Sequence, residues 1–170
     1  MYSKEFEKID SSERAVVNRY ISEFPVKIGQ LARELGVKIK ISSLRAGISG
    51  QIKKEDESYV IRVNRHEARE RQRFTICHEL AHFLLHRHII DSSPDGITDN
   101  VLYRSGAPER IEYEANRLAA DILMPMKAVQ GVLDKEFKGM VTEATIENLA
   151  AEFQVSKAAM EIRLSKLVDA

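Results

Sequence analysis

Apolar residues recur first at helical spacing, then at the two-residue spacing of strands, then at helical spacing to the end of the chain. Asp10, Ser11, Ser12 and Glu13 read as a capped helix start. Ala15, Val16, Tyr20, Ile21 and Phe24 follow at helical intervals until Pro25 ends the run. A second helix carries Ile28, Leu31, Ala32 and Leu35 and stops at Gly36. Positions 37–44 then alternate, with Val37, Ile39 and Ile41 on one face and Lys38, Lys40 and Ser42 on the other, the mark of a half-buried strand. Positions 48–52 and 59–63 predict two more strands, joined by a turn at Glu55-Asp56-Glu57-Ser58. From about Glu67 the period is helical again, with Phe74, Cys77, Ala81, Leu84 and Leu85 as an apolar stripe. Residues 91–106 are turn-rich and predict a loop. Pro108 opens a helix carrying Ile111, Ala115, Leu118, Ala119, Ile122 and Leu123, and Pro125 closes it. A short helix over 128–137 and two helices around Gln154-Val155-Ser156 complete the chain. The expected class is α+β: mostly helical, with a small antiparallel sheet of two or three strands ahead of the helix from Glu67, and a helical C-terminal tail. The expected division is a body over residues 1–125 and a helix-turn-helix-like tail over 126–170 packed on it.

Composition narrows the possible roles. The chain has 170 residues, with 26 Lys plus Arg balanced by 26 Asp plus Glu. Zero formal charge argues against nucleic acid or an anionic membrane as the main partner. A single cysteine excludes an intrachain disulfide and fits a reducing, cytoplasmic setting. The first ten residues lack the apolar stretch of a signal peptide, and no apolar run approaches the roughly 20 residues of a membrane span.

Four of the five histidines, His78, His82, His86 and His88, fall within eleven positions. They include His78-Glu79-Leu80-Ala81-His82. Residues four apart on a helix share a face at about 6 Å, so two imidazoles so placed can bind one zinc ion at about 2.1 Å each. Glu79, one residue along, is placed to reach a bound water rather than the metal. The motif lies in an apolar helical run, where two buried imidazoles and a carboxylate are costly without a role. A catalytic zinc needs a third protein ligand and an open position. His86 continues the series but lies about 6 Å further along the helix axis. His88 requires the chain to turn back. The helix after Pro108 is the better source. Glu112 shares a face with Ala115, Asn116, Ala119 and Leu123 and is favoured, with Glu114, on a more polar face, as the alternative. Asn116 could then hydrogen-bond a ligating histidine.

These residues resemble the ImmA/IrrE family of zinc metallopeptidases. Its pattern R-F-T-x-x-H-E-x-x-H matches Arg73 to His82, and E-x-x-A-N-x-x-A-A-x-x-L-M-P matches Glu112 to Pro125. The tail from Leu149 to Leu164 is also similar to the family's. The resemblance implies a gluzincin-like site with His78, His82 and Glu112 as ligands and Glu79 as general base. Its cofactor is Zn²⁺, with Mn²⁺ as an alternative occupant. Cys77 departs from the small residue usual before the motif and reads as core. The residue holding the oxyanion is left open among His88, Tyr103 and Tyr113. The segment from Ile48 to Val63 is expected to offer a strand edge to an extended peptide. Many members cut a helix-turn-helix repressor or antitoxin, which makes such a protein the expected partner.

Two other functions compete with this one. The helix pair around Gln154-Val155-Ser156 has the outline of a DNA-binding or protein-docking helix-turn-helix, which makes a transcriptional regulator the alternative. Its second helix sets Lys157, Arg163 and Lys166 against Glu161 and Asp169, so it is barely basic. The arginine-rich run 62–73 reads as a solvated helix start ahead of a substrate-anchoring patch. A deformylase also uses this motif but needs a distant cysteine ligand, and the sole cysteine, Cys77, adjoins the motif on the same helix.

Overall fold

A computed structural model of the chain describes residues 2–100 and 109–168. Tyr103, the Pro108 helix start and Asp169 lie outside the described residues. In chain order the elements are α1 (Lys4–Glu7), α2 (Ser11–Tyr20), α3 (Ile28–Glu34), β1 (Val37–Ser42), β2 (Ile48–Glu55), β3 (Ser58–Asn64), α4 (Arg69–Leu85), α5 (Arg87–Asp91), β4 (Ile97–Asn100), α6 (Glu109–Leu123), α7 (Met126–Phe137), α8 (Glu143–Phe153) and α9 (Lys157–Val168). The fold is α+β and mostly helical. Among the described residues no helix is long and apolar enough to cross a membrane.

Local chemistry explains most boundaries. The Asp10 carboxylate accepts from the Ser12 amide at 3.0 Å and caps α2. Gly36, at φ +80°, lets the chain leave α3 and enter β1 directly. Thr142 caps α8 by accepting from the Thr145 amide at 3.2 Å, and Gln154 ends it in the left-handed region at φ +53°.

The sheet departs from expectation in two ways. It has four strands in the order β1-β3-β2-β4, and it is mixed: β1 pairs with β3 in parallel, while β2 pairs antiparallel with both β3 and β4. Alternation identifies a strand but not its neighbour. The tight turn at Asp56 closes β2 on β3, so β3 takes the place beside β1 that an antiparallel meander gives to β2. The fourth strand, β4, forms inside the stretch read as a loop. It is four residues long and follows Gly96 at φ +63°, where a Cβ would sit 1.9 Å from the Ile52 carbonyl oxygen. Turn residues therefore masked it. The two edges are β1 and β4, so the segment from Ile48 to Val63, expected to offer an edge, lies in the sheet's interior. Ile41 is exposed where β1 runs off the core.

The helix α4 lies across the sheet and packs against α6 on its other side. Leu80, Ile52, Ile61, Leu118, Ile122, Phe153 and Met160, drawn from sheet, body helices and tail, join one buried core. Polar ties fasten the ends of the chain to it. Arg163 of α9 donates to Asp121 at 2.8 Å and to the Met124 carbonyl at 2.8 Å. The other Asp121 oxygen accepts from the Ser3 amide at 2.7 Å. Arg117 pairs with the buried Glu5 of α1 at 3.2 Å. Phe24 stacks on Phe153 at 4.5 Å between centroids, and Arg73 of α4 donates to the carbonyls of Val26 and Gln154.

Asp121 and Arg163 are both buried, 2% and 5% exposed. Removing one member of such a pair strands the other charge, so Asp121→Ala should cost about 3–5 kcal/mol. Urea unfolding of the variant measures this, and Asp121→Leu/Arg163→Met should recover part of the loss. A wild-type midpoint for Asp121→Ala would show the tie to be dispensable.

Candidate metal centre

Successive turns at the C-terminal end of α4 put four ionisable side chains inside the protein. His78, Glu79, His82 and His86 are 3%, 0%, 0% and 4% exposed. Burying such groups without partners is prohibitive, and the partners come mainly from α6. There Glu112, Ala115, Asn116 and Ala119 share a face by helical spacing. Ala115 and Ala119 are fully buried, so the two helices meet over small side chains.

Three atoms converge. His78 Nε2 lies 2.9 Å from Glu112 Oε2, His82 Nε2 lies 3.2 Å from Glu112 Oε1, and the two Nε2 atoms are 3.1 Å apart. A tetrahedron with bonds of about 2.05 Å has edges of about 3.3 Å, so this triangle has the dimensions of one face of a zinc site. Asn116 Oδ1 accepts from His78 Nδ1 at 2.9 Å. Glu114, the alternative third ligand, points elsewhere: it meets His86 Nε2 at 2.9 Å, Lys8 at 3.1 Å and Arg110 at 3.3 Å.

Electrostatics separates these groups. Burial opposes a charge on His78, but the Glu112 hydrogen bond and the charges of Glu79, Asp99 and Glu112 outweigh it and carry His78 up to about 9. Burial pushes His82 down to about 4 despite the adjoining Glu112 carboxylate, and the neighbouring His78 charge adds to this. Burial also works against an ionised Glu112, yet the hydrogen bond from His78 and the adjoining His82 ring hold it well below the usual carboxylate range. Burial drives Glu79 well above that range.

Both oxygens of Glu79 are buried without a hydrogen-bond partner among the described residues, as is Glu112 Oε1. A cation held by His78, His82 and Glu112, with a water beside Glu79, answers both orphaned groups. The donor set of two imidazole nitrogens and a carboxylate oxygen suits zinc, so the residues fit the ion.

Asp99 of β4 also reaches the site. Its carboxylate belongs with His78 and Glu79 to a second group of ligand atoms lying within 4.8 Å of one another, and burial raises its pKa. Sequence reasoning missed it because it falls in the turn-rich stretch, where only the Ile97-Thr98 pair hints at a strand. His86 was set aside as a ligand, and it meets the far nitrogen of His82 instead, Nδ1 to Nδ1 at 3.0 Å. No described hydrogen bond brings either accessible oxyanion candidate to the triangle. His88 is exposed on α5. Tyr113 is 59% exposed under the Arg117 guanidinium. Cys77 is in the core, its thiol pushed up to about 12 by burial.

The tail offers little to a phosphate backbone. Arg163 is consumed by Asp121, and Lys157 pairs with Glu143 and with Glu147. The cations counted on α9 are thus mostly spoken for.

Gly50 of β2 sets the height of α4 above the sheet. A Cβ there would lie 2.5 Å from Thr75 Cγ2, 2.9 Å from the Arg62 carbonyl oxygen and 3.7 Å from Glu79 Cγ. Gly50→Ala should therefore destabilise the protein by about 1–3 kcal/mol. Adding Thr75→Ser, which removes the clashing methyl, should return part of that, as read by denaturant midpoints. Equal midpoints for Gly50→Ala and wild type would refute the close approach.

The IrrE N-terminal-like domain model, Peptidase_M78, matches residues 32–165. No curated protein matches the sequence. Among solved structures, a Mycobacterium tuberculosis transcriptional regulator superposes with a TM-score of 0.63 at 17% identity, over 96% of this chain and 48% of that one. That likeness is one of fold, and the chain spans about half the length of that regulator. With the family model covering most of the chain, including α4 and α6, the protein belongs to the IrrE N-terminal-like family of M78 peptidases.

Proposed function

We propose that the protein is a zinc-dependent endopeptidase that cuts a cytoplasmic regulatory protein, a helix-turn-helix repressor or antitoxin being the expected substrate. The observation that carries this reading is the convergence of His78, His82 and Glu112 beside the unpartnered, buried carboxylate of Glu79. The family match supports peptidase chemistry independently. The reading assigns residues 1–125 to the catalytic body and 126–170 to a tail packed on it.

His78, His82 and Glu112 would hold the ion, and Asn116 would orient His78. Bound zinc supplies Lewis acidity, polarising the scissile carbonyl and making water easier to deprotonate. Glu79 takes the proton of the attacking water as general base. Its raised proton affinity suits it to hold that proton while the carbonyl carbon becomes tetrahedral. It then delivers the proton to the amide nitrogen as the carbon–nitrogen bond breaks, so the amine leaves neutral. The dry setting given by Thr75, Gly50 and the sheet keeps bulk water from competing for that proton. The edge strand β4 ends beside Glu79 through Asp99, so a peptide added to that edge would run past the reacting groups.

Glu79→Gln is the direct test, because it removes the base without touching the ion's ligands. The variant should retain about one equivalent of zinc by metal analysis and lose at least about a hundredfold in cleavage of a helix-turn-helix repressor or antitoxin that the wild-type protein cuts. Cleavage at the wild-type rate would sink the general-base assignment. A zinc-treated wild-type protein without stoichiometric metal would sink the metallopeptidase reading.

A further inference from the structure

We infer that His86 and Glu114 form a positioning relay that fixes which nitrogen of His82 is presented to the metal, an inference that rests on the zinc reading above. His82 has two ring nitrogens in different surroundings. Nε2 faces His78 and Glu112, while Nδ1 faces His86 Nδ1 at 3.0 Å. The other nitrogen of His86 lies 2.9 Å from Glu114 Oε2. Glu114 is in turn paired with Lys8 at 3.1 Å and Arg110 at 3.3 Å, which keep it ionised.

The direction of every bond follows from the far end. An ionised carboxylate only accepts, so His86 carries its proton on Nε2 and offers a lone pair at Nδ1. His82 must then donate from Nδ1, which would leave its Nε2 lone pair for an ion held with Glu112 and His78. One arrangement of protons satisfies the whole chain, and it is the one a metal ligand requires. His78 is oriented by a shorter route: the Asn116 amide oxygen accepts from its Nδ1 at 2.9 Å, which leaves Nε2 as the nitrogen turned toward Glu112. The two imidazoles are thus set from one helix: His78 through Asn116, and His82 through His86 to Glu114.

The relay also accounts for a buried histidine at the very end of α4. A buried imidazole needs a partner at each ring nitrogen, and here Nδ1 meets His82 and Nε2 meets Glu114. Both are met, and Glu114 is drawn away from the ligand triangle to meet one of them.

Zinc affinity of the full chain, measured by competition with a chromophoric chelator, tests the relay without any substrate. His86→Phe keeps the volume but removes the acceptor, and it should weaken zinc binding about 10–100-fold. His86→Gln, whose side-chain carbonyl can accept from His82 Nδ1, should bind within about tenfold of wild type. Glu114→Ala should weaken zinc about tenfold; it carries the test alone if His86→Phe does not fold. The visible spectrum of the cobalt-substituted protein should keep its band positions in all three variants, because His86 is not itself a ligand. Wild-type zinc affinity in both His86→Phe and Glu114→Ala overturns the relay while leaving the metal site intact. A changed cobalt spectrum in His86→Phe overturns it in favour of direct ligation. A wild-type chain that binds no zinc overturns the relay together with the reading beneath it.

Discussion

The approach of α6 to α4 is the constraint on which the rest of the structure depends. The helix α4 buries three imidazoles and a carboxylate within its last turns. The imidazoles cannot be left unanswered in a low-dielectric interior. Their answers lie on α6, 28 to 38 residues further on, as Glu112, Glu114 and Asn116. The helices must therefore meet closely and in a fixed register. A slip of one residue on α6 would carry Glu112 some 100° around the helix, away from both histidines. Buried Ala115 and Ala119 permit the approach. Asp121, on the same helix, is anchored both by Arg163 and by the Ser3 amide.

The opposite face of α4 is under a matching constraint. Thr75 and Glu79 sit over β2, and only a glycine at position 50 leaves room for them. The sheet thus does more than supply a floor. It holds Glu79 where neither carboxylate oxygen finds a protein donor, which keeps that group free for water. The same enclosure raises its proton affinity. Packing at a glycine and chemistry at a glutamate are consequences of a single contact.

Much of this was legible in the sequence because it rests on short-range rules. The spacing of His78 and His82 requires nothing beyond helical geometry. The preference for Glu112 over Glu114 followed from the small neighbours on its face, and the structure brings Glu112 to the two histidines. What escaped depended on partners far along the chain. The place of β3 beside β1 is decided by the tightness of the β2–β3 turn, which alternation cannot report. The strand β4 is too short for a periodic signal, and it brought Asp99 with it. Two short helices, α1 and α5, left no periodicity to detect. Helical spacing puts His86 too far along the axis to join His82 and His78 as a third point, but its reach to the far nitrogen of His82 depends on the break of α4 at Leu85.

The balanced charge acquires a specific meaning once the pairs are located. A neutral chain could scatter its ions over the surface, where each exposed pair contributes little. Here several are spent at the junctions that hold α6 in place: Arg117 with Glu5, Arg163 with Asp121, Lys8 and Arg110 with Glu114. All of the acids or bases on the α6 side of these pairs lie within residues 110–121. The helix that supplies Glu112 is thus clamped by charge from the N-terminus, from its own first turn and from the tail. Arg163 shows the consequence for function. As a surface residue it would strengthen a DNA-binding reading of α9, but buried against Asp121 it makes the tail a brace for the site. Binding to phosphate through that helix would require Arg163 to leave an interior partner, and that cost separates a helix-turn-helix outline from a helix-turn-helix function.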